Sequence, residues 1–234
     1  MDELVLIPCS CKKDFTMEKD SIHDGKNFKD NLDEEYKNKL ERLQKQVAKS
    51  FNINLEEGKK KPAYRIYQGK LYSQLESEVW TDLQENDNKD VCIVNPVYGF
   101  IYWHESIIEH DITMEDKIGS NRLNTWWKHN GISDILINYI INNDFDLIRS
   151  LLPVSHKKSM PFIQYNLDVD WLQYDYPKLR SGSNYYRGWD LARIIREYDI
   201  LCPECESRKT KRISKEYFGC IKCGTIYEVE KNEG

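Results

Sequence analysis

The chain alternates short, uninterrupted apolar runs with longer segments in which apolar residues recur at helical spacing. The apolar runs are of the kind that form strands buried on both faces of a sheet, and they occupy residues 4–8, 91–94 and 145–153, with a further candidate at 162–165. The helical segments are residues 31–51, 71–83, 122–128, 132–141 and 187–198. Strands that alternate with helices predict an α/β fold, with a mostly parallel sheet and helices on both faces.

Polar or charged residues follow three of the predicted strands, at 9–13, 95–100 and 154–158. In open α/β sheets, ligands bind in the crevice outside the carboxyl ends of the strands. A purely structural turn after a strand does not require so many polar side chains. The pattern therefore predicts that a functional site is assembled from these three segments.

The segment after the last predicted helix contains two Cys-x-x-Cys pairs, Cys202 with Cys205 and Cys220 with Cys223, separated by fourteen residues. Four cysteines on two such turns across a hairpin give the tetrahedral ligand set of structural zinc. Redox-active pairs or two disulfides are the alternative, and the ribbon spacing favours zinc over both. We therefore expect an α/β domain over residues 1–200 and a small four-cysteine zinc ribbon over residues 201–234. The zinc is expected to be structural because all four of its positions are filled.

The loop between the two cysteine pairs is basic, and it contributes Arg208, Lys209, Lys211 and Arg212. Such a cluster can bind the phosphates of nucleic acid. A solvated basic loop without a ligand is the alternative, and both interpretations stay open at this point.

Composition and charge restrict the location and the partners. The chain has 234 residues, of which 40% are hydrophobic, and this supports a folded core rather than disorder. A net charge of -5 argues against a general polycationic coat for nucleic acid, although one locally positive cleft is compatible with it. No apolar window reaches the length of a membrane span, and residues 1–5 lack the basic start of a secretory leader. We expect a reduced, cytoplasmic protein with no membrane partner.

Four motifs, in this order, resemble the YaaA-like family, known from a bacterial peroxide-stress protein. They are Ile-Pro-Cys-Ser-Cys-Lys-Lys at 7–13, Tyr-Gln-Gly-Lys-Leu-Tyr at 67–72, Val-Tyr-Gly-Phe-Ile at 97–101 and His-Asp-Ile-Thr-Met at 110–114. The chain departs from the family pattern at Cys11, where lysine is usual, at His110, where tyrosine is usual, and in its added ribbon.

The strand order and loop placement also look like the uracil-DNA-glycosylase superfamily, which implies a three-layer, glycosylase-like fold. Within that superfamily, small anti-phage proteins excise glucosylated hydroxymethylcytosine from viral DNA. The resemblance thus implies a DNA glycosylase in anti-phage defence, which flips a modified base out of duplex DNA and hydrolyses its N-glycosidic bond.

A base-excising enzyme needs a carboxylate near the anomeric carbon and hydrogen-bond donors at the departing base. Asp111 is the predicted catalytic carboxylate, and Glu105 on the same loop is the second candidate. A helix N-cap is the alternative role for Asp111. Asn95 and Tyr98 are predicted to read the base and to stack on it, and an ordinary Asn-Pro turn with a core tyrosine is the alternative.

The first strand end supplies candidates that bind DNA or the base. Ser10, Lys12 and Lys13 lie where backbone amides can hold phosphate or base oxygens, and a solvated basic turn is the alternative. Gly69 and Lys70 of the second motif join them as substrate-binding candidates.

Three further candidates lie later in the chain. His156 and Lys157 fall where glycosylases carry a DNA-contacting loop, although a lone surface histidine is more often uninvolved. Arg187 is expected to hold a phosphate at the N-terminus of the last helix.

Two other functions stay open. A YaaA-like stress protein that binds DNA without catalysis would tolerate Asp111→Asn, and an RNA-modifying enzyme of the same fold would prefer structured RNA. In each case the partner is nucleic acid and the cofactor is zinc.

Overall fold

The computed structural model describes residues 2–16, 27–86, 88–161, 167, 169–176, 183–196, 201–207, 210–213 and 217–228. The strands are β1 (Glu3–Pro8), β2 (Lys60–Pro62), β3 (Lys89–Asn95), β4 (Gly99–Tyr102), β5 (Ser106–Ile108), β6 (Lys117–Ile118), β7 (Asn121–Arg122), β8 (Leu147–Ser150), β9 (Asp170–Gln173), β10 (Thr210–Arg212), β11 (Tyr217–Cys220) and β12 (Ile226–Glu228). The α-helices are α1 (Glu34–Ser50), α2 (Ala63–Ile66), α3 (Ser77–Gln84), α4 (Leu123–His129), α5 (Ile132–Asn142), α6 (Val154–Lys157) and α7 (Ser183–Ile195). Two short 3-10 helices cover Phe28–Asn31 and Tyr72–Gln74.

The central sheet has five strands in the order β4-β3-β1-β8-β9. Strand β1 lies at its centre and pairs in parallel with β3 on one side and with β8 on the other. Strand β9 adds to β8 in parallel, and only the β3–β4 pair within this sheet is antiparallel. The expectation of a mainly parallel sheet is confirmed.

Alternate residues of β1 pack on opposite faces of the sheet. Leu4 and Leu6 belong to the core beneath α1, α4 and α5, whereas Val5 and Ile7 belong to the core beneath α2, α3 and α7. All four side chains have no exposed surface. Burial on both faces explains why this strand is an unbroken apolar run instead of an alternating one.

The sequence patterns predict no strand between residues 95 and 121, but the structure has strands there. The segment after β3 contains β4, which folds back antiparallel on β3, and β5, which pairs with β2. The reversal depends on Gly99, whose φ of 74° is in the left-handed region that glycine tolerates. It also depends on Asn95, whose Oδ1 accepts hydrogen bonds from the amides of Val97 and Tyr98, at 2.7 and 2.9 Å.

The starts of two helices and the presence of one strand also differ from expectation. Helix α3 begins at Ser77, because the segment before it forms a 3-10 turn, and α7 begins at Ser183, four residues earlier than predicted. Strand β9 was not predicted, since its sequence Asp-Trp-Leu-Gln mixes polar and apolar residues at the edge of the sheet. The strand candidate at 162–165 lies outside the described residues. Among the helices that are described, none has the length and apolar character needed to cross a bilayer.

Candidate functional site

A cavity of about 750 Å³ lies at the carboxyl ends of β1 and β8. From β1 the chain leads to β3 on one side, and from β8 it leads to β9 on the other, so the crevice between them is the switch point of the sheet. Its walls come from the segments after these two strands, from residues 68–73, from residues 112–115 and from the start of α7. The lining residues are Pro8, Cys9, Ser10, Cys11, Lys12, Gln68, Gly69, Lys70, Leu71, Tyr72, Ser73, Ile112, Thr113, Met114, Glu115, Pro153, Ser155, His156, Asn184 and Tyr185.

The loop after β1 is fixed by close contact with the 67–72 segment. Ser10 is buried, and its Oγ accepts a hydrogen bond from the amide of Lys12 at 3.1 Å. Gly69 packs against it so closely that a Cβ at this position would overlap with the Ser10 hydroxyl. The phenol of Tyr72 donates to the Pro8 carbonyl at 2.9 Å. Two of the four sequence motifs therefore form one wall of the cavity together.

His156 contributes a neutral imidazole to the cavity. Its Nε2 lies 3.6 Å from the Cys9 Sγ, and its Nδ1 lies 3.2 Å from the Ser155 Oγ. Burial, followed by the charge of Arg187, lowers the pKa of His156 to about 4. Burial likewise raises the pKa of the Cys9 thiol to about 12. At neutral pH both groups are uncharged, which favours packing over nucleophilic chemistry for Cys9.

The 111–116 loop carries three carboxylates, of which Glu115 is among the cavity-lining residues. Glu115 lines the cavity and is half-exposed, and it pairs with the guanidinium of Arg122 and accepts from the Asn124 amide at 3.3 Å. Asp116 accepts two hydrogen bonds from Thr113, from its amide at 2.7 Å and from its hydroxyl at 2.8 Å, and these hold the turn.

Asp111 is exposed and begins this loop, directly before the lining residues. Residues 109–113 are irregular, and a turn follows them, so the structure gives Asp111 no helix to cap. Lys13 lies nearby, and its ammonium donates to the carbonyl of His110 at 2.8 Å. Burial lowers the pKa of Lys13, and the charge of Asp111 is among the interactions that oppose this shift.

Asn95 and Tyr98 do not line the cavity. The Asn95 side chain has no exposed surface, and its Nδ2 donates to the Tyr67 phenol at 2.7 Å while its Oδ1 holds the β3–β4 turn. The Tyr98 phenol accepts from the Ile108 amide at 3.1 Å. This geometry favours the alternative interpretation of an ordinary turn with a core tyrosine.

Glu105 is also outside the cavity lining. Its carboxylate accepts from the amides of Phe28 and Tyr102 at 2.6 and 2.8 Å, and it ties the first 3-10 helix to β4. Burial raises the pKa of Glu105 to about 7, and the two amide hydrogen bonds partly oppose that shift.

The basic candidates divide into exposed and paired groups. Lys12 and Lys70 are exposed at the cavity, and the Lys70 ammonium lies 5.3 Å from the ring centroid of Tyr185. Lys157 instead pairs with Asp175 at 2.6 Å. Arg187 is buried in the second turn of α7, where it donates to the Leu151 carbonyl at 2.8 Å. Arg187 therefore braces the loop after β8 and does not lie at the N-terminus of α7, where the sequence places it.

The four cysteines of the ribbon converge as predicted. Their sulfur atoms all lie within 4.8 Å of one another, and the sulfurs of Cys202 and Cys223 are 3.5 Å apart. Thiolates around one zinc ion have bonds of about 2.3 Å and hence mutual distances near 3.8 Å. Four soft ligands at this spacing fit a structural metal such as zinc.

The basic tip of the ribbon is only partly described. Arg208 and Lys209 lie outside the described residues, and of Lys211 only the backbone is described, within β10. Arg212 is buried instead of lying on an exposed tip, and its guanidinium binds the Asp190 carboxylate at 2.7 Å. It therefore fastens the ribbon to α7, and its side chain is not presented to a phosphate.

Several residues of the cavity had no signal in the sequence patterns. Ser155 and Asn184 are polar residues in the first turns of helices, and Tyr185 and Glu115 resemble ordinary surface residues. Only the position of Ser155 beside His156, after a predicted strand, pointed toward the site.

Comparison with known proteins adds one finding. The family model described as peroxide stress protein YaaA matches residues 4–183. No curated protein matches the chain. The match spans β1 to the start of α7, and thus all the cavity-lining segments up to that helix.

Proposed function

The chain belongs to the family of the peroxide stress protein YaaA, and we propose that its cavity binds a nucleotide flipped out of DNA and that the protein hydrolyses the N-glycosidic bond of that nucleotide. The observation that carries the proposal is the placement of opposite chemistries on two walls of one cavity. Lys12 lines the cavity after β1, and Ser155 and His156 line it after β8. The 111–116 loop contributes Glu115 to the lining, and Asp111 directly precedes the lining residues of that loop. Cleavage of an N-glycosidic bond needs hydrogen-bond donors on the side of the departing base and a carboxylate on the side of the sugar.

The donor wall suits the departing base. With its proton on Nδ1, the neutral His156 imidazole donates to the Ser155 Oγ and accepts from the Cys9 thiol. The Ser155 hydroxyl is then free to donate its own proton to a base placed in the cavity. An uncharged relay of this kind supports the negative charge that develops on the base as the C–N bond breaks.

The carboxylate wall suits the sugar. A carboxylate near the anomeric carbon stabilises the positive charge of the transition state and orients the attacking water. Asp111 is exposed and directly precedes the lining residues 112–115, whereas the charge of Glu115 is shared with Arg122. We therefore assign the reaction to Asp111 and a supporting role to Glu115. Water oxygen bonds to C1′, the C–N electron pair leaves with the base, which takes up a proton, and an abasic site remains.

The size of the cavity supports a bulky base. At about 750 Å³ it is in the upper part of the range for small-molecule sites, roughly 300–1,000 Å³. Glucosylated hydroxymethylcytosine of phage DNA remains the candidate substrate, and anti-phage defence the proposed setting. Zinc in the ribbon would be structural.

A DNA-binding stress protein without catalysis is the second candidate. It is favoured by one observation, the position of Asn95, Tyr98 and Glu105 outside the cavity, where they hold turns and strands. An RNA-modifying enzyme would use the same cavity, and competition between duplex DNA and structured RNA distinguishes it.

The test incubates the purified protein with glucosylated-hydroxymethylcytosine phage DNA and with unmodified DNA, without added metal. Alkali cleavage reveals abasic sites, and mass spectrometry identifies the released base. Asp111→Asn is compared with Glu109→Gln, an exposed acid that lies two residues further along the chain from the lining segment 112–115. We expect abasic sites in modified DNA alone, lost with Asp111→Asn and retained with Glu109→Gln. DNA that stays intact although the protein binds it would refute the glycosylase and support the second candidate, a DNA-binding protein without catalysis.

A further inference from the structure

Two large aromatic side chains are exposed on α7 next to the cavity. Tyr185 lines the cavity and is 39% exposed, and Trp189 is 46% exposed. Residues four apart in a helix lie on the same face, so the two rings follow one another along α7. We call this pair the aromatic ridge.

The ridge is presented by a well-anchored helix. Leu191 and Ile195 of α7 are buried in the core beneath the sheet. The Trp189 ring packs edge-on against Tyr186, with ring centroids 5.3 Å apart. The exposed face of the indole is thus held in position before any ligand binds, which limits the entropy lost on binding.

The surroundings of the ridge are cationic. The Lys70 ammonium lies over the Tyr185 ring, and Lys12 is exposed on the same cavity wall. Among the described lining residues the acid is Glu115, which is paired with Arg122. The cavity mouth is therefore locally positive in a chain whose net charge is -5. Aromatic faces beside ammonium groups match the bases and phosphates of a nucleic-acid strand.

We propose that the aromatic ridge is a stacking surface for the nucleotides that flank the one in the cavity, and that the protein binds single-stranded or locally unpaired DNA in preference to intact duplex. Bases within a duplex already stack on one another, so their faces are not available to Tyr185 or Trp189. The inference rests on the proposed function, because it extends the ligand of the same cavity, but it is tested by binding and not by excision.

The test measures fluorescence anisotropy with the full-length protein and three labelled probes. They are a mixed-sequence strand of about twelve nucleotides, within the usual site sizes for single-strand binding, the same strand annealed to its complement, and an abasic deoxyribose-phosphate chain of equal length. The abasic chain has the same charge without bases. We expect the single strand to bind more tightly than both other probes.

The variants separate stacking from electrostatics. Trp189→Ala and Tyr185→Ala are expected to weaken single-strand binding by roughly 5- to 50-fold each, in the range measured for base–aromatic stacking. Trp189→Phe should retain most of the affinity, and binding of the abasic chain should not change. Ile141→Ala is the matched control, because Ile141 is 59% exposed on α5, which packs on the opposite face of the sheet. Equal thermal unfolding of all variants verifies that they fold.

Equal affinity for the base-containing and abasic single strands, or unchanged affinity after Trp189→Ala, would overturn the inference. The excision assay on the same proteins separates the two proposals. If the wild type excises the base and Trp189→Ala binds the single strand with unchanged affinity, the aromatic-ridge inference is refuted and the glycosylase proposal stands. If Trp189→Ala loses single-strand binding and the wild type excises no base, the aromatic-ridge inference is supported and the glycosylase proposal is refuted.

Discussion

The ion pair between Arg212 of β10 and Asp190 of α7 is buried, and we predict that breaking it destabilises the folded chain strongly. Their side chains are 5% and 2% exposed. The Arg212 Nε lies 3.0 Å from both carboxylate oxygens, and a second guanidinium nitrogen lies 2.7 Å from one of them. The Tyr176 phenol donates to the same carboxylate at 2.8 Å.

The magnitude follows from what each substitution leaves behind. Arg212→Met keeps an apolar stem but leaves the buried Asp190 carboxylate without its guanidinium partner, with the hydrogen bond from the Tyr176 phenol retained. Removing one member of a buried pair costs about 3–5 kcal/mol, since the other charge stays desolvated. The double variant Asp190→Leu/Arg212→Met removes both charges of the pair, and such apolar replacements are often near neutral. We therefore expect the double variant to be more stable than Arg212→Met.

Urea unfolding, followed by circular dichroism, gives the free energy of unfolding for each variant. Hydrogen exchange at β10 and β11 reports whether the ribbon is released before the α/β domain unfolds. Lys39→Met is the control, because the Lys39–Asp134 pair is 26% and 43% exposed, and exposed pairs contribute about 0–1 kcal/mol. A loss below about 1 kcal/mol for Arg212→Met, or a double variant whose loss equals the sum of the singles, would refute the reasoning.

Three further predictions concern the cavity and its surroundings. Gly69→Ala should destabilise the fold by about 1–3 kcal/mol in urea, because its Cβ would overlap with the Ser10 hydroxyl in a packed wall. Cys11 is exposed and should be alkylated by iodoacetamide at pH 8 well before Cys9, whose raised pKa leaves little thiolate, as peptide mapping will measure. The raised pKa of Glu105 means that the folded state binds its proton more tightly than the unfolded state. The stability of the wild type relative to Glu105→Gln should therefore fall as pH rises from about 4.5 to about 7, by roughly 3 kcal/mol in urea titrations.

Each of these has its own control. For Gly69→Ala, the control is the same substitution combined with Ser10→Ala, which removes the overlapping hydroxyl, so an equal loss in the combined variant would contradict the packing explanation. Alkylation is carried out on zinc-loaded protein so that the ribbon cysteines are protected, and equal labelling rates for Cys9 and Cys11 would contradict the prediction. The buried histidines also change stability with pH, in the opposite direction, but they are present in both proteins and cancel in the difference. A difference that stays constant across the titration would show that Glu105 is not buried as described.

Much of the fold could be predicted because each of the strongest sequence signals has a single physical cause. A strand buried on both faces must be apolar throughout, and β1 and β3 are therefore visible as unbroken runs. The long amphipathic helix α1 repeats its buried residues at helical spacing. The four-cysteine cluster could be predicted because metal geometry restricts cysteine spacing.

Other elements depend on contacts that spacing does not encode. Strand β4 exists because Asn95 and Gly99 reverse the chain, and the same Asn95 side chain had the residue type expected of a base-reading group. Arg212 belongs to a basic segment that is typical of a phosphate-binding loop. In the folded chain, however, it pairs with Asp190, twenty-two residues earlier. In both cases the residue type suggested binding of an external ligand, whereas in the folded chain the polar side chain binds other residues of the protein.

Arg212 is part of a wider connection between the ribbon and the cavity. The Tyr174 phenol donates to the Thr210 carbonyl of β10 at 3.1 Å and accepts from Arg149 of β8 at 2.9 Å. Asp190 lies on α7, whose first residues line the cavity. Two polar contacts thus join β10 to the strand and to the helix that frame the site. We therefore expect a metal that stabilises the ribbon to stabilise one wall of the cavity as well, although none of its four cysteine ligands is among the lining residues.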